Sequence, residues 1–199
     1  MTVRNRLPRG ARRAQLLSAA QQIFVARGYH AAAMDEIAER AGVSKPVLYQ
    51  HFPGKLDLYL ALLDHHTDAL VRAVRDALAS TTDNKQRVAA TMDAYFAYVD
   101  SEGEAFRLVF ESDLTNDSAV RERVDRTGLA CAQAISEVIA EDAGLPREEA
   151  MLLGVGLAGM AQVTARYWLS TNGSIPRGAA ARLLASLSWR GIRGFPRAE

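Results

Sequence analysis

Lys45, Pro46, Val47, Tyr49, Gln50 and His51 crowd into one short stretch of the chain, AGVSKPVLYQHF, running from Ala41 to Phe52. Each type has a use against a nucleic acid. Lys, Tyr and His reach phosphate oxygens, Gln pairs with adenine or reads mixed base edges, and the carbons of Val or Pro touch a thymine methyl. Ser44 suits the N-cap of a helix carrying them, and Pro46 falls in its first turn, where a missing N–H costs nothing. A helix this short is unstable alone in water, so other elements must hold it.

The flanking sequence supplies them. A helix predicted from about Met34 to Ala41 places Met34, Ile37, Ala38 and Ala41 on one face, with Asp35 and Glu36 in its first turn, where the helix dipole favours them. Gly42 and Val43 make a tight turn. The spacing is that of a helix-turn-helix in which Ile37, Ala38 and Val43 draw Leu48 inward, Phe52 joins the core, and the remaining side chains project as a recognition helix does in a major groove. An earlier helix from about Arg9 to Arg27 carries Leu16, Leu17, Ala20, Ile23 and Phe24 on one face and ends at Gly28.

Strand signals are nearly absent and helical periodicity continues to the end. A long fourth helix runs from about Lys55 to Ala79, and the break STTDN caps a fifth to about Asp100. A short sixth lies in SEGEAFRLVFES, a seventh spans about Asp117 to Glu141, and Pro146 opens an eighth to about Ser170. The ninth runs from about Pro176 to Arg193. The expected fold is all-α with about nine helices: a three-helix helix-turn-helix head over residues 1–54 and a larger helical body over 55–199.

A chain of 199 residues, about half apolar and a quarter charged, can bury a sizeable core. No apolar run approaches the ~20 residues of a membrane span, the basic start leads into no signal-like apolar segment, and the single cysteine suits a reducing cytoplasm. The formal net charge of +1 hides an asymmetry: residues 1–55 hold nine Lys/Arg against three Asp/Glu, and the remainder 15 against 20. A basic first quarter on an acidic body points one end at a polyanion. Enzyme signatures are missing: there is no Walker loop, dinucleotide fingerprint, zinc-protease motif or G-x-S-x-G. Adjacent His65 and His66 read as a polar surface feature rather than a metal site, and Cys131 as a buried, inert thiol.

The stretch GYHAAAMDEIAERAGVSKPVLYQHFPGKLDLYLALL, Gly28 to Leu63, closely resembles the head signature of the TetR family of bacterial transcriptional regulators, in its I-A-x-x-A-G-V-S core, its L-Y-x-H-F run and the lysine that follows. The resemblance implies phosphate contacts for Tyr49, His51 and Lys55, and a groove-facing set of Lys45, Pro46, Val47 and Gln50. The chain departs from the family at Ala32 and Ala33, where a Ser or Thr commonly caps the second helix and touches a phosphate. The basic arm from Arg4 to Arg13, Arg9 included, either enters the adjacent minor groove, as homeodomain arms do, or is disordered.

Paired DNA half-sites imply a two-fold dimer. The eighth helix offers Gly154, Ala158 and Ala161 to a closely approaching partner, and the ninth offers Leu183, Leu184, Leu187 and Trp189; such helices form a four-helix seam in the TetR family. The body also holds an apolar set larger than a small core needs: Leu63, Met92, Tyr95, Phe96, Val99, Phe106, Val109, Phe110, Leu129, Ile135, Met160, Val163 and Tyr167. TetR-type bodies enclose an effector, and this lining suits a hydrophobic one. Head, STTDNKQR, FRLVFESD and ARYWL together are similar to an actinobacterial TetR-type regulator of fatty-acid biosynthesis that activates transcription and whose effector is a long-chain acyl-CoA. On that likeness Arg72, Arg107 or Arg166 would face the CoA phosphates. The family-level alternative is a repressor of an efflux or catabolic gene answering an unrelated hydrophobic compound. No cofactor and no metal are expected.

Overall fold

The computed structural model describes residues 7–110, 114, 116–171 and 173–191, the side chains of Val109 and Phe110 excepted. All regular structure among them is helical: α1 (Arg9–Ala31), α2 (Met34–Arg40), α3 (Lys45–His51), α4 (Lys55–Ala79), α5 (Asn84–Ser101), α6 (Gly103–Phe110), α7 (Ser118–Ala143), α8 (Arg147–Ser170) and α9 (Arg177–Arg190). Arg4, Arg6 and Arg193, and the Phe110 and Val109 side chains, lie outside the described residues.

Helix boundaries follow local chemistry. Asp83 caps α5 by accepting from the Gln86 N–H at 2.8 Å, and Asp117 caps α7 by accepting from Ala119 and Val120. Ser44, by contrast, makes no side-chain cap bond, and α2 begins at Ala33 without one. Both helices are held by packing instead. Gly28, at φ 72° and ψ 167°, leaves the helical conformation and ends the regular part of α1 as expected, and a short further turn runs on to Ala31. Gly42, at φ 64°, is the left-handed residue that closes α2, with the Val43 N–H reaching back to Ala38 O at 3.0 Å.

Two buried clusters organise the molecule. The first joins α1, α2 and α3 and continues onto the first half of α4, through Leu58, Tyr59, Leu62 and Leu63. The change from head to body is therefore a change of element within continuous packing. The second lies among the later half of α4 and α5, α7, α8 and α9. Within it α8 lies close on α7: a Cβ added at Gly154 would stand 2.4 Å from Ala132 O.

Candidate nucleic-acid interface and effector cavity

Leu48 is fully buried beneath α3, which leaves Lys45, Pro46, Tyr49 and Gln50 exposed and Val47 and His51 half-buried. Tyr49 is 46 % exposed, a large aromatic side chain turned outward. Lys45 pairs with Asp35 of α2 at 2.5 Å, both side chains well exposed. Exposed pairs of this kind hold weakly, on the order of 0–1 kcal/mol, so the ammonium can exchange its carboxylate for a phosphate.

The first turns of α1 lie beside the end of α3. Arg13 stacks its guanidinium 4.6 Å above the Phe52 ring, and the His51 imidazole is held below its ordinary pKa by burial and by the positive charge of Arg9, Arg13 and Arg12. These three arginines belong to α1, which begins at Arg9 as expected, so this part of the basic arm presents its cations on a helix. The result is a basic cluster flanking an exposed recognition surface. Gln15 fixes the geometry by donating to Ala41 O at 2.9 Å, which ties α1 to the turn of the motif.

Lys55 does something other than the resemblance implied. Its Nζ donates to Tyr29 O, His30 O and Ala32 O at 2.9, 3.1 and 3.0 Å, and sits 4.6 Å above the Tyr29 ring. An ammonium has three donors, and all three serve the carbonyls left without helical partners at the end of α1. In this structure it acts as a helix-end clamp.

In the body, the expected apolar set does not come together around one space. Tyr95, Phe96, Val99 and Phe106 are buried core, with Met160 packed against it. Leu129, Val163 and Tyr167 face outward, 53 %, 64 % and 70 % exposed. A separate cleft of about 240 Å³ opens between the end of α4, the first half of α5, the last part of α7, and α8 and α9. Only Met92 and Ile135 of the expected set line it, joined by Leu78, Val88, Thr91, Val138, Leu157 and Trp189, with the Arg87–Asp142 ion pair at its edge. Sequence periodicity gave no sign of Thr91 or the ion pair, because helix ends meet there.

The small residues of α8 also serve a different contact from the one expected. Gly154, Ala158 and Ala161 are buried against the subunit's own α7. The opposite face of α8 carries Leu152, Val155, Val163 and Tyr167, all exposed, along with Gly156 and Gly159, whose added Cβ atoms would meet nothing within 4 Å. On α9, Leu183 is exposed, Leu187 half-buried and Trp189 48 % exposed.

His66, expected on the surface, is 4 % exposed. Gln21 donates its amide to Glu102, so its oxygen accepts from His66 Nε2 at 3.1 Å, and Nδ1 faces the Tyr98 hydroxyl at 3.0 Å. The arrangement suits a neutral ring, and burial pulls its pKa down to about 4. Cys131 is buried, its thiol pushed up to about 11 by burial, as suits an unreactive core residue.

Comparison with known proteins places both parts. The family model for bacterial regulatory proteins of the tetR family matches residues 16–62, and the tetracyclin repressor-like C-terminal domain model matches residues 73–194. The HTH-type transcriptional activator FasR of Mycolicibacterium smegmatis is 47 % identical over 192 residues, covering 96 % of this chain and 88 % of that protein. A TetR-like transcriptional regulator from Rhodococcus sp. RHA1 superposes with a TM-score of 0.74 at 25 % identity, covering 96 % of this chain and 100 % of the other. FadR from Bacillus subtilis, solved in complex with stearoyl-CoA, shares the fold with a TM-score of 0.75 at 17 % identity, over 90 % of this chain and 98 % of that one.

Proposed function

The chain belongs to the tetR family of bacterial regulatory proteins and is a transcriptional regulator, not an enzyme; from that premise we propose that it binds a palindromic operator as a homodimer, under the control of a hydrophobic effector of the long-chain acyl-CoA type. One observation carries the DNA half of this reading. Leu48 anchors α3 while Lys45, Pro46, Tyr49 and Gln50 stay exposed beside the cations of α1. Phosphates would meet Lys45, Tyr49, His51 and Arg9, with Arg12 and Arg13 alongside. Base edges would meet Gln50, Val47 and Pro46.

The dimer is read from the outer face of α8, where Leu152, Val155, Val163 and Tyr167 form an apolar strip around two glycines, with Leu183 of α9 as its neighbour in the seam. The effector class is read from the sequence likeness to a fatty-acid-biosynthesis regulator whose effector is an acyl-CoA, beside the relative FasR, a transcriptional activator, and from the fold, which holds stearoyl-CoA in the Bacillus subtilis FadR. The proposed setting is the cytoplasm; no described helix is long and apolar enough to cross a membrane.

Selection from random duplexes, followed by titration over a range of salt, tests the reading. A two-fold symmetric site with half-sites about one helical turn apart is expected, its affinity falling steeply as salt rises. Flat salt dependence or an asymmetric site would overturn the DNA half. Stearoyl-CoA added to the complex should change operator affinity; no change at saturating ligand would remove the acyl-CoA half alone.

A further inference from the structure

Among the described residues, the cleft at the far end of the body holds one buried side-chain polar group without a hydrogen-bond partner. Leu78, Val88, Met92, Ile135 and Leu157 give it aliphatic walls, and Thr91 and Ser188 line it with them, Ser188 donating to Leu184 O at 2.7 Å. Thr91 is 7 % exposed, and its Oγ1 has no hydrogen-bond partner. Threonines inside helices ordinarily bond back to the carbonyl four residues earlier. Thr127 does so to Arg123 O at 2.8 Å, and Thr164 to Met160 O at 2.6 Å. Thr91 does not. A buried, unpaired hydroxyl is unfavourable in the folded state, and a group that bonds to it there is rewarded.

The edge of the cleft narrows the ligand class. Arg87 is already engaged by Asp142, by Thr81 O at 2.7 Å and by Asn84 Oδ1 at 2.9 Å. Its charge is thus satisfied within the protein, and an anionic head group is not what the cleft selects. At about 240 Å³ the space falls below the ~300–1,000 Å³ of sites for drug-sized molecules. It suits a medium-length aliphatic chain, or the far portion of a longer one.

We infer that this cleft binds a neutral aliphatic chain bearing one hydroxyl or carbonyl oxygen, and that Thr91 selects it by hydrogen-bonding that oxygen. The inference rests on the reading of the body as the effector-binding part and refines it: the site distinguishes an oxygenated chain from a plain one. Of the two tryptophans, Trp189 lines the cleft and Trp168 does not, so the part of the emission change that Trp189→Phe removes reports occupancy.

The test is calorimetric titration of the full-length protein with 1-octanol, without DNA, alongside the Trp189 emission. Saturable binding of one octanol per chain is expected. Thr91→Val should weaken it about tenfold, the worth of roughly one net hydrogen bond, and raise the unfolding temperature by removing the unpaired hydroxyl. Thr91→Ser, which keeps the hydroxyl, should bind within about twofold of the native protein on the same ground. Val88→Phe, which fills the cleft, should abolish binding while circular dichroism stays helical. Non-saturable uptake, or equal octanol affinity in native protein and Thr91→Val, would overturn the inference. With no DNA in the titration, failure here leaves the recognition helix untouched, and loss of operator binding would say nothing about Thr91.

Discussion

Tyr49 and Gln50 are neighbours on the exposed side of α3, yet their side chains have different information to offer. A phenol donating to phosphate is indifferent to sequence, whereas a carboxamide at base edges is not. Tyr49→Ala should therefore weaken binding to all duplexes by a similar factor, and Gln50→Ala should change which duplex is preferred, as read by competition among operator variants. Equal losses across sites for both variants would remove Gln50 as a base reader. Lys55 shows what residue-level reading leaves out: its type and position after L-Y-x-H-F suggest a phosphate contact, and in the fold it also caps carbonyls of residues more than 20 positions earlier. Only the folded chain brings them together. Lys55→Met should lower stability to urea by roughly 1–3 kcal/mol, the worth of hydrogen bonds from a charged donor, while the salt slope of operator binding stays the same. A slope reduced by about one unit would return Lys55 to the phosphates.

Helices were legible wherever one apolar face met caps and breakers close in sequence. The boundaries of α5, α7, α8 and α9 fall where Asp83, Asp117, Pro146 and Pro176 stand. Periodicity was less informative in α8, which is apolar on two sides. The small face, Gly154 with Ala158 and Ala161, packs on α7, and the bulky face is turned outward. Nor could sequence show that one imidazole connects three helices. His66 on α4 faces Gln21 on α1 and Tyr98 on α5, so the head's first helix and the body meet at a buried polar site. Its titration should be visible in stability. His66 has its pKa lowered from 6.5 to about 4, chiefly by burial, with His65 also lowering it and Glu102 raising it. The unfolded chain thus binds the proton more readily than the folded one between those values. Its contribution is fully present above pH 6.5, falls as pH drops toward 4, and levels off below; the total is about 3 kcal/mol at most. Urea unfolding across that range should show the decline, and His66→Leu should flatten it, whatever that variant's stability at pH 7.

Over the whole molecule, charge and exposed apolar surface point in different directions. The first 55 residues are strongly basic and the rest acidic, so the field orients the head toward DNA and turns the body away. That asymmetry was countable before any fold was known. The partner surface was not, since the residues that cover a subunit's own core and those that cover another subunit are drawn from the same apolar types. Exposure marks a candidate: Val163 at 64 % and Tyr167 at 70 % lie on one face of α8 with Leu152, the apolar surface that the proposed dimer would cover. If that face is the seam, Val163→Glu places a like charge against its symmetry mate in a desolvated contact, which is strongly unfavourable. Sedimentation velocity should then shift from dimer to monomer while the helical spectrum is retained. Operator affinity should fall at least a hundredfold, because linked heads gain their second half-site at a high effective concentration and separate heads do not. A Val163→Glu protein that remains dimeric and binds its operator normally would move the seam away from α8.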